Sequence, residues 1–499
     1  MLKMPDRSAP TGETSLSLLD ILDEAARATR DQAETLKNDY TTPTVRLGVT
    51  GLSRAGKTVF ITALLHNLME GGRLALFDAQ ARGRIAGAAL RPQPDDGVPT
   101  FDYRAHVRDL VSKRLWPSST RQISEIRLTL SFESENLWTR IFKASRIHLD
   151  IVDYPGEWLL DLTLIDKDFA AWSETALRLA QKSDRQDLAQ DWLIYLNTLS
   201  KEPDDAEAGA RIGAALFTKY LADCRSEDRA LSMLPPGRFL MPGDMAGSPA
   251  LTFCPLPASA RTGAPQLYAL LERRFEAYKS LIVKPFFKDH FARLDRQIVL
   301  VDVLNALNAG PDAIHDLEET LADVLRAFRP GRNSWLAGIL GRRIDRVLFA
   351  ATKADHVHHS DHDRLEAILD HLLQDAAKRV RFSGAETRTI AISAVRATRE
   401  AHLEVDGDRV PAILGTPLAG ETAHGEIYDG TQEIALFPGD LPDDPQAIYA
   451  RRANPEEDPL RYLRFKPPKL EETAEGLTLS LPHIRLDRAL EFLLGDKLA

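Results

Sequence analysis

Eight consecutive residues constrain this chain more than any other part of it: Gly51-Leu52-Ser53-Arg54-Ala55-Gly56-Lys57-Thr58. They fit the pattern G-x-x-x-x-G-K-[ST] in full. Glycines let the backbone turn so closely that successive amides point inward at phosphate oxygens. Val45 to Thr50 reads as a short strand before the loop, and Val59 to Met69 as a helix after it. Such a strand–loop–helix sets an anion at the positive end of the helix dipole. Gly51, Ser53, Arg54, Ala55, Gly56, Lys57, Thr58 and Val59 are therefore the expected phosphate cradle. In it Lys57 is a point charge for the β- and γ-phosphates, and the Thr58 hydroxyl is a ligand for Mg²⁺.

The rest of the chain alternates. Strand patterns recur at Ile123 to Phe132, Arg146 to Val152, Gln297 to Val303, Arg346 to Ala351 and Thr387 to Ile392. Helical periods fall at Tyr103 to Leu115, Leu271 to Phe286, Ala313 to Phe328 and Asp361 to Ala377. This alternation predicts an α/β fold with a mostly parallel sheet. The expected organisation is a tail and amphipathic helix over 1–40, with its apolar stripe between Ser17 and Leu36. Two parts of a nucleotide core follow at 41–156 and 296–400, separated by a helical insertion at 157–295. A C-terminal appendage with short strands covers 401–499. Residues 71–100, rich in Gly, Arg and Pro, read as a loop or partly ordered insertion.

Composition excludes several functions. With 63 Lys and Arg against 73 Asp and Glu, the net charge of −10 disfavours a general grip on nucleic acid. Cys224 and Cys254 lie in no ligand spacing, which argues against a structural zinc site. No run approaches the ~18–20 apolar residues needed to span a bilayer, and no apolar leader is seen. The expectation is a soluble, cytoplasmic protein, with peripheral membrane contact left open.

Four further segments carry chemistry. His148-Leu149-Asp150-Ile151-Val152-Asp153-Tyr154-Pro155-Gly156 is an apolar strand ending in D-x-x-G. It resembles the Walker B and switch II segment of Ras-like GTPases, in which Asp153 holds Mg²⁺ through water and the Gly156 amide senses the γ-phosphate. Thr352-Lys353-Ala354-Asp355 resembles the base-reading [N/T]-K-x-D motif. A carboxylate at Asp355 accepts from guanine N1–H and the exocyclic amine, whereas adenine offers neither donor there. The Lys353 stem lies along the base, and His356 borders its pocket. Ser393-Ala394-Val395 resembles the loop whose amides reach guanine O6. Trp116-Pro117-Ser118-Ser119-Thr120 occupies the place of switch I, with Thr120 as a second Mg²⁺-binding hydroxyl and Trp116 and Ser118 beside the nucleotide.

These motifs sit in a chain that resembles, over roughly residues 15–495, the YcjX-like family of bacterial P-loop proteins. The segments that carry the resemblance are GLSRAGKTVF, RLWPSSTR, LDIVDYPGEWL, VKPFFKDHFARLDRQIVLVDVLNALNAG, ATKADHV and LPHIRLDRALEFLLGD. The resemblance implies a Ras-like P-loop NTPase core, a helical insertion after switch II and an association with bacterial stress responses. Family members have been described both as ATPases and as GTP-binding proteins; Asp355 decides for GTP and GDP.

One departure stands out. Where Ras-like enzymes place a water-orienting Gln after the switch II glycine, this chain has Glu157. A carboxylate there is repelled by the γ-phosphate unless protonated or turned away. The expected protein is thus a slow, Mg²⁺-dependent GTPase. It would act as a nucleotide-controlled switch, with 115–121 and 153–160 read by a protein partner not named by the sequence. The alternatives are a non-hydrolysing GTP-binding scaffold or an ATPase. Arg54, Arg114 and Arg121 are candidates to supply transition-state charge. The histidines at 356, 358, 359 and 362 show no ligand spacing on one helix face and are not read as a metal site.

Overall fold

A computed structural model describes residues 42–52, 54–118, 122–134, 145–199, 201, 203–226, 228–327, 344–381, 385–405, 408–423, 426–450, 462–470 and 480–499. Its centre is a seven-stranded sheet in the order β2-β3-β4-β1-β5-β6-β7. The strands are β1 (Thr44–Gly51), β2 (Ile85–Arg91), β3 (Ser124–Phe132), β4 (Ser145–Asp153), β5 (Arg296–Val301), β6 (Arg346–Ala351) and β7 (Glu386–Ala391). From β4 through β7 all neighbours are parallel, whereas β3 runs antiparallel to both β4 and β2. This is the expected α/β, P-loop-type core.

Covered on both faces, the central strands are apolar almost throughout, as parallel sheets require. Period-two alternation sorts their side chains. Ile298, Leu300, Leu348 and Ala350 face one layer, shared with Leu47 and Val49 of β1, while Val299, Val301, Val347 and Phe349 face the other. The first layer is filled by α1 (Lys57–Met69), α2 (Tyr103–Val111) and the chain's last helix, Leu486–Leu494, through residues such as Phe60, Leu64, Leu110, Leu490 and Leu493. That last helix, which follows the short strands of the C-terminal region, thus returns to the central sheet. Asn67 of α1 helps to hold it there by exchanging bonds with the Leu481 backbone at 3.0 and 3.1 Å.

On the opposite face lie Pro311–Ala327 and His362–Arg381, together with the helices between 157 and 294. The latter pack around Trp172, Phe217, Phe253 and Phe275, with Trp172 stacked on Phe275 at 4.9 Å. The helix read as Leu271 to Phe286 is interrupted. Pro265–Tyr278 and Lys284–Asp289 flank a π turn at Lys279–Val283. Pro285 lacks the amide that would continue the α-helical ladder, and the wider turn before it absorbs the misfit.

Two other expectations need correction. The 71–100 stretch is not a plain loop, since it holds a helical turn at Asp78–Ala81 and the edge strand β2. Most β2 side chains face solvent and are small, so the strand is specified by backbone pairing to β3 and leaves no apolar alternation to read. The strand expected to reach Val303 stops at Val301, because the Asp302 carboxylate caps a new helix by accepting from the Asn305 amide at 3.2 Å. Beyond the core, β8 (Arg399–Val405) and β9 (Asp408–Gly415) pair antiparallel, and a short strand at Ile434–Leu436 flanks β9. The helix expected within 17–36 lies outside the described residues.

Candidate nucleotide-binding site

The 51–58 loop leaves β1 at Gly51 and enters α1 at Lys57. Gly56 caps the helix at φ 81°, a left-handed conformation that glycine adopts without strain, and Arg54 is also left-handed at φ 58°. Tied back by Leu52 N–H to the Leu300 carbonyl (3.2 Å) and Ala55 N–H to the Leu52 carbonyl (3.1 Å), the loop leaves the first-turn amides of α1 directed outward. The Lys57 ammonium donates to the Gly51 carbonyl at 3.2 Å, and no described carboxylate pairs with it.

The end of β4 arrives beside this loop. Asp153 is buried and lies in register with Val49, two residues before the loop begins. Gly156 packs against it so closely that a Cβ there would sit 2.4 Å from the Gly51 carbonyl oxygen. Only hydrogen fits at that point.

Glu157 does not point its charge at the phosphate site uncompensated. Its buried carboxylate lies 2.9 Å from the guanidinium of Arg225, at the end of Ala206–Cys224 in the helical region. Neither Glu157 oxygen has hydrogen-bond geometry, so the contact is one of charge rather than a locked fork. Next to it, the Trp158 indole donates to the Met241 carbonyl at 3.1 Å and the Arg238 guanidinium stacks 3.2 Å over the ring centroid.

At the other end, Lys353 is held at φ 60° and its ammonium pairs with Asp302. Asp355 is buried, and one carboxylate oxygen accepts from the Ala397 amide at 2.7 Å, which fixes the plane of the group. His356 is buried with its ring against Phe465 at 5.3 Å, and that burial lowers its pKa. The Ser393 amide is committed to the Ile484 carbonyl at 3.1 Å, and the Ser393 hydroxyl donates to the Val395 carbonyl at 3.1 Å. Any amide offered to a base from this turn must come from Ala394 or Val395.

All of this converges. One cavity of ≈ 310 Å³ is lined by Arg54, Ala55, Gly56, Lys57, Thr58 and Val59 from the loop, by Trp116 and Ser118, and by Lys353, Asp355, His356, Ser393, Ala394 and Val395. Gly51, Asp153, Gly156 and Glu157 adjoin it through the contacts above without lining it. Ser53, Thr120 and Arg121 lie outside the described residues. Arg114 is a correction. Its guanidinium donates to the Pro467 carbonyl at 3.1 Å and does not line the cavity, so it is not placed to supply charge there.

Sequence reasoning missed Arg225, Leu418, Arg464 and Phe465, which also line the cavity. They come from the helical and C-terminal regions, where no motif spacing ties them to residue 51. The Trp116 indole donates to the Phe465 carbonyl at 2.6 Å, fastening the expected switch I to the C-terminal region. Five lining residues are Arg or Lys (54, 57, 225, 353 and 464) and one, Asp355, is acidic. In a chain of net charge −10 this is a local reversal of sign, suited to a polyanion at one end.

The histidine-rich loop does gather partners. His358, His359 and Glu400 each bring a ligand atom within 4.8 Å of the others, a convergence that sequence spacing hid because Glu400 arrives on β8. His359 and Glu400 are exposed and lie 3.0 Å apart. The cluster joins the loop after β6 to β8, and three donors, two of them facing solvent, do not make a closed metal cage.

Comparison with known proteins agrees with this architecture. The Ras-like GTPase YcjX of Escherichia coli (strain K12) is 38% identical over 468 residues, 91% of this chain and 96% of the relative. The Ras-like GTPase YcjX of Shewanella oneidensis is 34% identical over 476 residues, 91% of this chain and 94% of the relative. A family model described as the YcjX-like family, DUF463, matches residues 45–498, and the chain belongs to that family.

Proposed function

We propose that this chain binds GTP and GDP and hydrolyses GTP slowly, as a nucleotide-controlled switch. The observation that carries the reading is the single cavity in which the Lys57 loop and the Asp355 carboxylate face a common space. Inward amides, Lys57 and Arg54 suit a polyphosphate. At the far end, Asp355 suits guanine, whose N1–H and exocyclic amine satisfy a buried acceptor that adenine would leave unpaired. Residues 41–156 and 296–400 would form the nucleotide core, 157–295 an insertion that follows the switch, and 401–499 an appendage closing the site. A place in a bacterial stress response is the part of this reading that rests on the family resemblance, and a cytoplasmic location rests on the composition and apolar patterning of the sequence.

Hydroxyl and carboxylate oxygens from Thr58 and Asp153, with Thr120, form a hard-oxygen donor set suited to Mg²⁺, which binds through few protein ligands and keeps its waters. When bound, Mg²⁺ neutralises charge on the β- and γ-phosphate oxygens. Lys57 and the loop amides hold the diphosphate that leaves. Reordering of 115–121 and 153–160 around the γ-phosphate would be the signal read by a protein partner.

Calorimetric titration with GTP, GDP and ATP in Mg²⁺ tests the reading. GTP and GDP are expected to bind at least ~100-fold more tightly than ATP. Equal affinity for ATP would overturn the base assignment. Glu157 in place of Gln favours one second reading, a scaffold that binds GTP without turnover. Single-turnover hydrolysis that stays at the solution background would select it.

A further inference from the structure

We propose that His358, His359 and Glu400 form an open binding site for a transition-metal ion of the Zn²⁺ class, separate from the nucleotide cavity. Each of the three brings a donor atom within 4.8 Å of the other two. The histidines belong to the loop after β6, three and four residues past Asp355, whereas Glu400 arrives on β8. None of the three lines the nucleotide cavity.

The local backbone brings both imidazoles to one place. His358 directly precedes a single 3₁₀ turn at His359–Asp361, and the two ring centroids lie 4.2 Å apart. One observation beyond proximity points to a ligand. His358 is 7% exposed, and its Nε2 is buried with no hydrogen-bond partner among the described residues. Its other nitrogen, Nδ1, lies 2.9 Å from the Ser360 hydroxyl, with the Ser360 amide farther off at 3.4 Å. The hydroxyl can accept from Nδ1–H, which leaves the lone pair on Nε2. That is the form in which an imidazole serves a metal, with an outer group fixing the tautomer. Glu400 is held too, since its Oε2 lies 3.0 Å from His359 Nδ1 and its Oε1 3.5 Å from the Arg396 guanidinium.

Two imidazoles and one carboxylate suit Zn²⁺ and its neighbours in the series, while Mg²⁺ prefers a shell of oxygens. Bonds of ~2.0–2.1 Å at tetrahedral angles set donors about 3.3 Å apart. His359 Nδ1 and Glu400 Oε2 already stand near that spacing, and the His358 donor closes from at most 4.8 Å. The ion takes the place of the hydrogen between His359 and Glu400, and His359 then carries its proton on Nε2. Three protein donors leave a position to water, so the ion exchanges. His402 shares the Glu400 face of β8, with its ring 6.0 Å from that of His358, and is not part of the triad. The residues just before β8 hold Asp355: the Ala397 amide donates to its carboxylate and the Thr398 hydroxyl to its carbonyl. A bound ion would therefore clasp the loop that follows Asp355 to the segment that fixes it.

Full-length protein, stripped with chelator and free of nucleotide and Mg²⁺, would be titrated with Zn²⁺ by equilibrium dialysis and with Co²⁺ by visible absorption. The result does not depend on the GTPase reading. Wild type is expected to bind one equivalent. His358→Ala, His359→Ala and the near-isosteric Glu400→Gln should each weaken it at least ~10-fold, and Ser360→Ala ~10–100-fold through loss of the outer bond. His315→Ala, which removes an exposed histidine elsewhere, should leave it unchanged. Circular dichroism without metal checks that each variant is folded, and Zn²⁺ should raise the melting temperature of wild type but not of Glu400→Gln. Absence of a saturable equivalent in wild type would overturn the assignment. So would Zn²⁺ affinity within threefold of wild type in either His358→Ala or Glu400→Gln, or its loss in His315→Ala.

Discussion

Replacing Asp355 by Asn changes one atom and tests the base site directly. The carboxylate is buried at 3% exposure, and its Oδ2 is held by the Ala397 amide at 2.7 Å. An asparagine keeps that bond by turning its carbonyl oxygen toward Ala397, which forces its NH₂ into the cavity. Guanine then meets a donor where N1–H and the exocyclic amine need acceptors. Hydrogen bonds to a charged group contribute ~1.5–3 kcal/mol each. Loss of two such bonds is about 3–6 kcal/mol, a fall in GTP affinity of ~10²–10⁴-fold. Xanthosine triphosphate carries a carbonyl in place of the exocyclic amine and should gain affinity from the same NH₂. Calorimetry with both nucleotides on wild type and Asp355→Asn measures the exchange. GTP affinity within threefold of wild type, with xanthosine triphosphate unimproved, would refute the geometry assigned to the base.

Three further outcomes are expected. Lys57→Ala should abolish the rise in melting temperature that Mg²⁺ and GTP give to wild type, as read by thermal denaturation, since a ligand stabilises only a state that binds it. Gly156→Ala puts a methyl 2.4 Å from the Gly51 carbonyl, so the two backbones must part; GTP should lose about tenfold (~1.4 kcal/mol) relative to GDP, and an unchanged GTP/GDP ratio would sink the sensing role of this amide. Burial pushes the Asp161 carboxyl up to about 7 despite bonds from the Tyr278 hydroxyl (2.6 Å) and the Gly237 amide (2.8 Å). The folded state then holds a proton that the unfolded chain releases near pH 4, so its contribution is complete below that pH and fades as pH rises through about 7. Urea unfolding should show wild type losing stability relative to Asp161→Asn across that window, on the order of a few kcal/mol, and running parallel above it.

The legible parts of this protein are those where local chemistry dictates residue type. The 51–58 loop needs glycine to turn and lysine to bind, and the strand Arg346–Ala351 needs an unbroken apolar run because helices cover both faces. Both are readable from a few adjacent letters. Edge strand β2 is not, since backbone pairing to β3 holds it and its small exposed side chains carry no pattern. The lining arginines 225 and 464 were illegible for another reason. Arg225 reaches the cavity because the helix Ala206–Cys224 ends beside it, and Arg464 because an irregular segment bridges Pro417 to Phe465; one arginine among many has no signature. Glu157 shows the limit of motif logic. Its place after Gly156 could be read, but the cation that answers it lies in a different part of the chain.

The charges around the cavity form a coherent device. Three of its cations carry their own carboxylate: Arg225 has Glu157, Lys353 has Asp302 and Arg464 has Glu421. Each acid stands behind its cation, and none of the three lines the cavity. Like charges gathered without such partners would repel and resist burial. Even so, burial and the guanidiniums of Arg225 and Arg464 hold the Arg54 pKa below its usual value, a sign of residual repulsion. A triphosphate relieves that repulsion where a nucleoside cannot. Affinity should therefore fall steeply from GTP and GDP to guanosine alone and weaken with salt only modestly, because the Arg225–Glu157 and Lys353–Asp302 pairs are half-buried, and only the Arg464–Glu421 pair has its cation in open solvent. The two distant segments that deliver Arg225 and Arg464 would be drawn toward the same phosphates. That gives nucleotide occupancy a physical route to the helical and C-terminal regions, with the charge of the ligand as its cause.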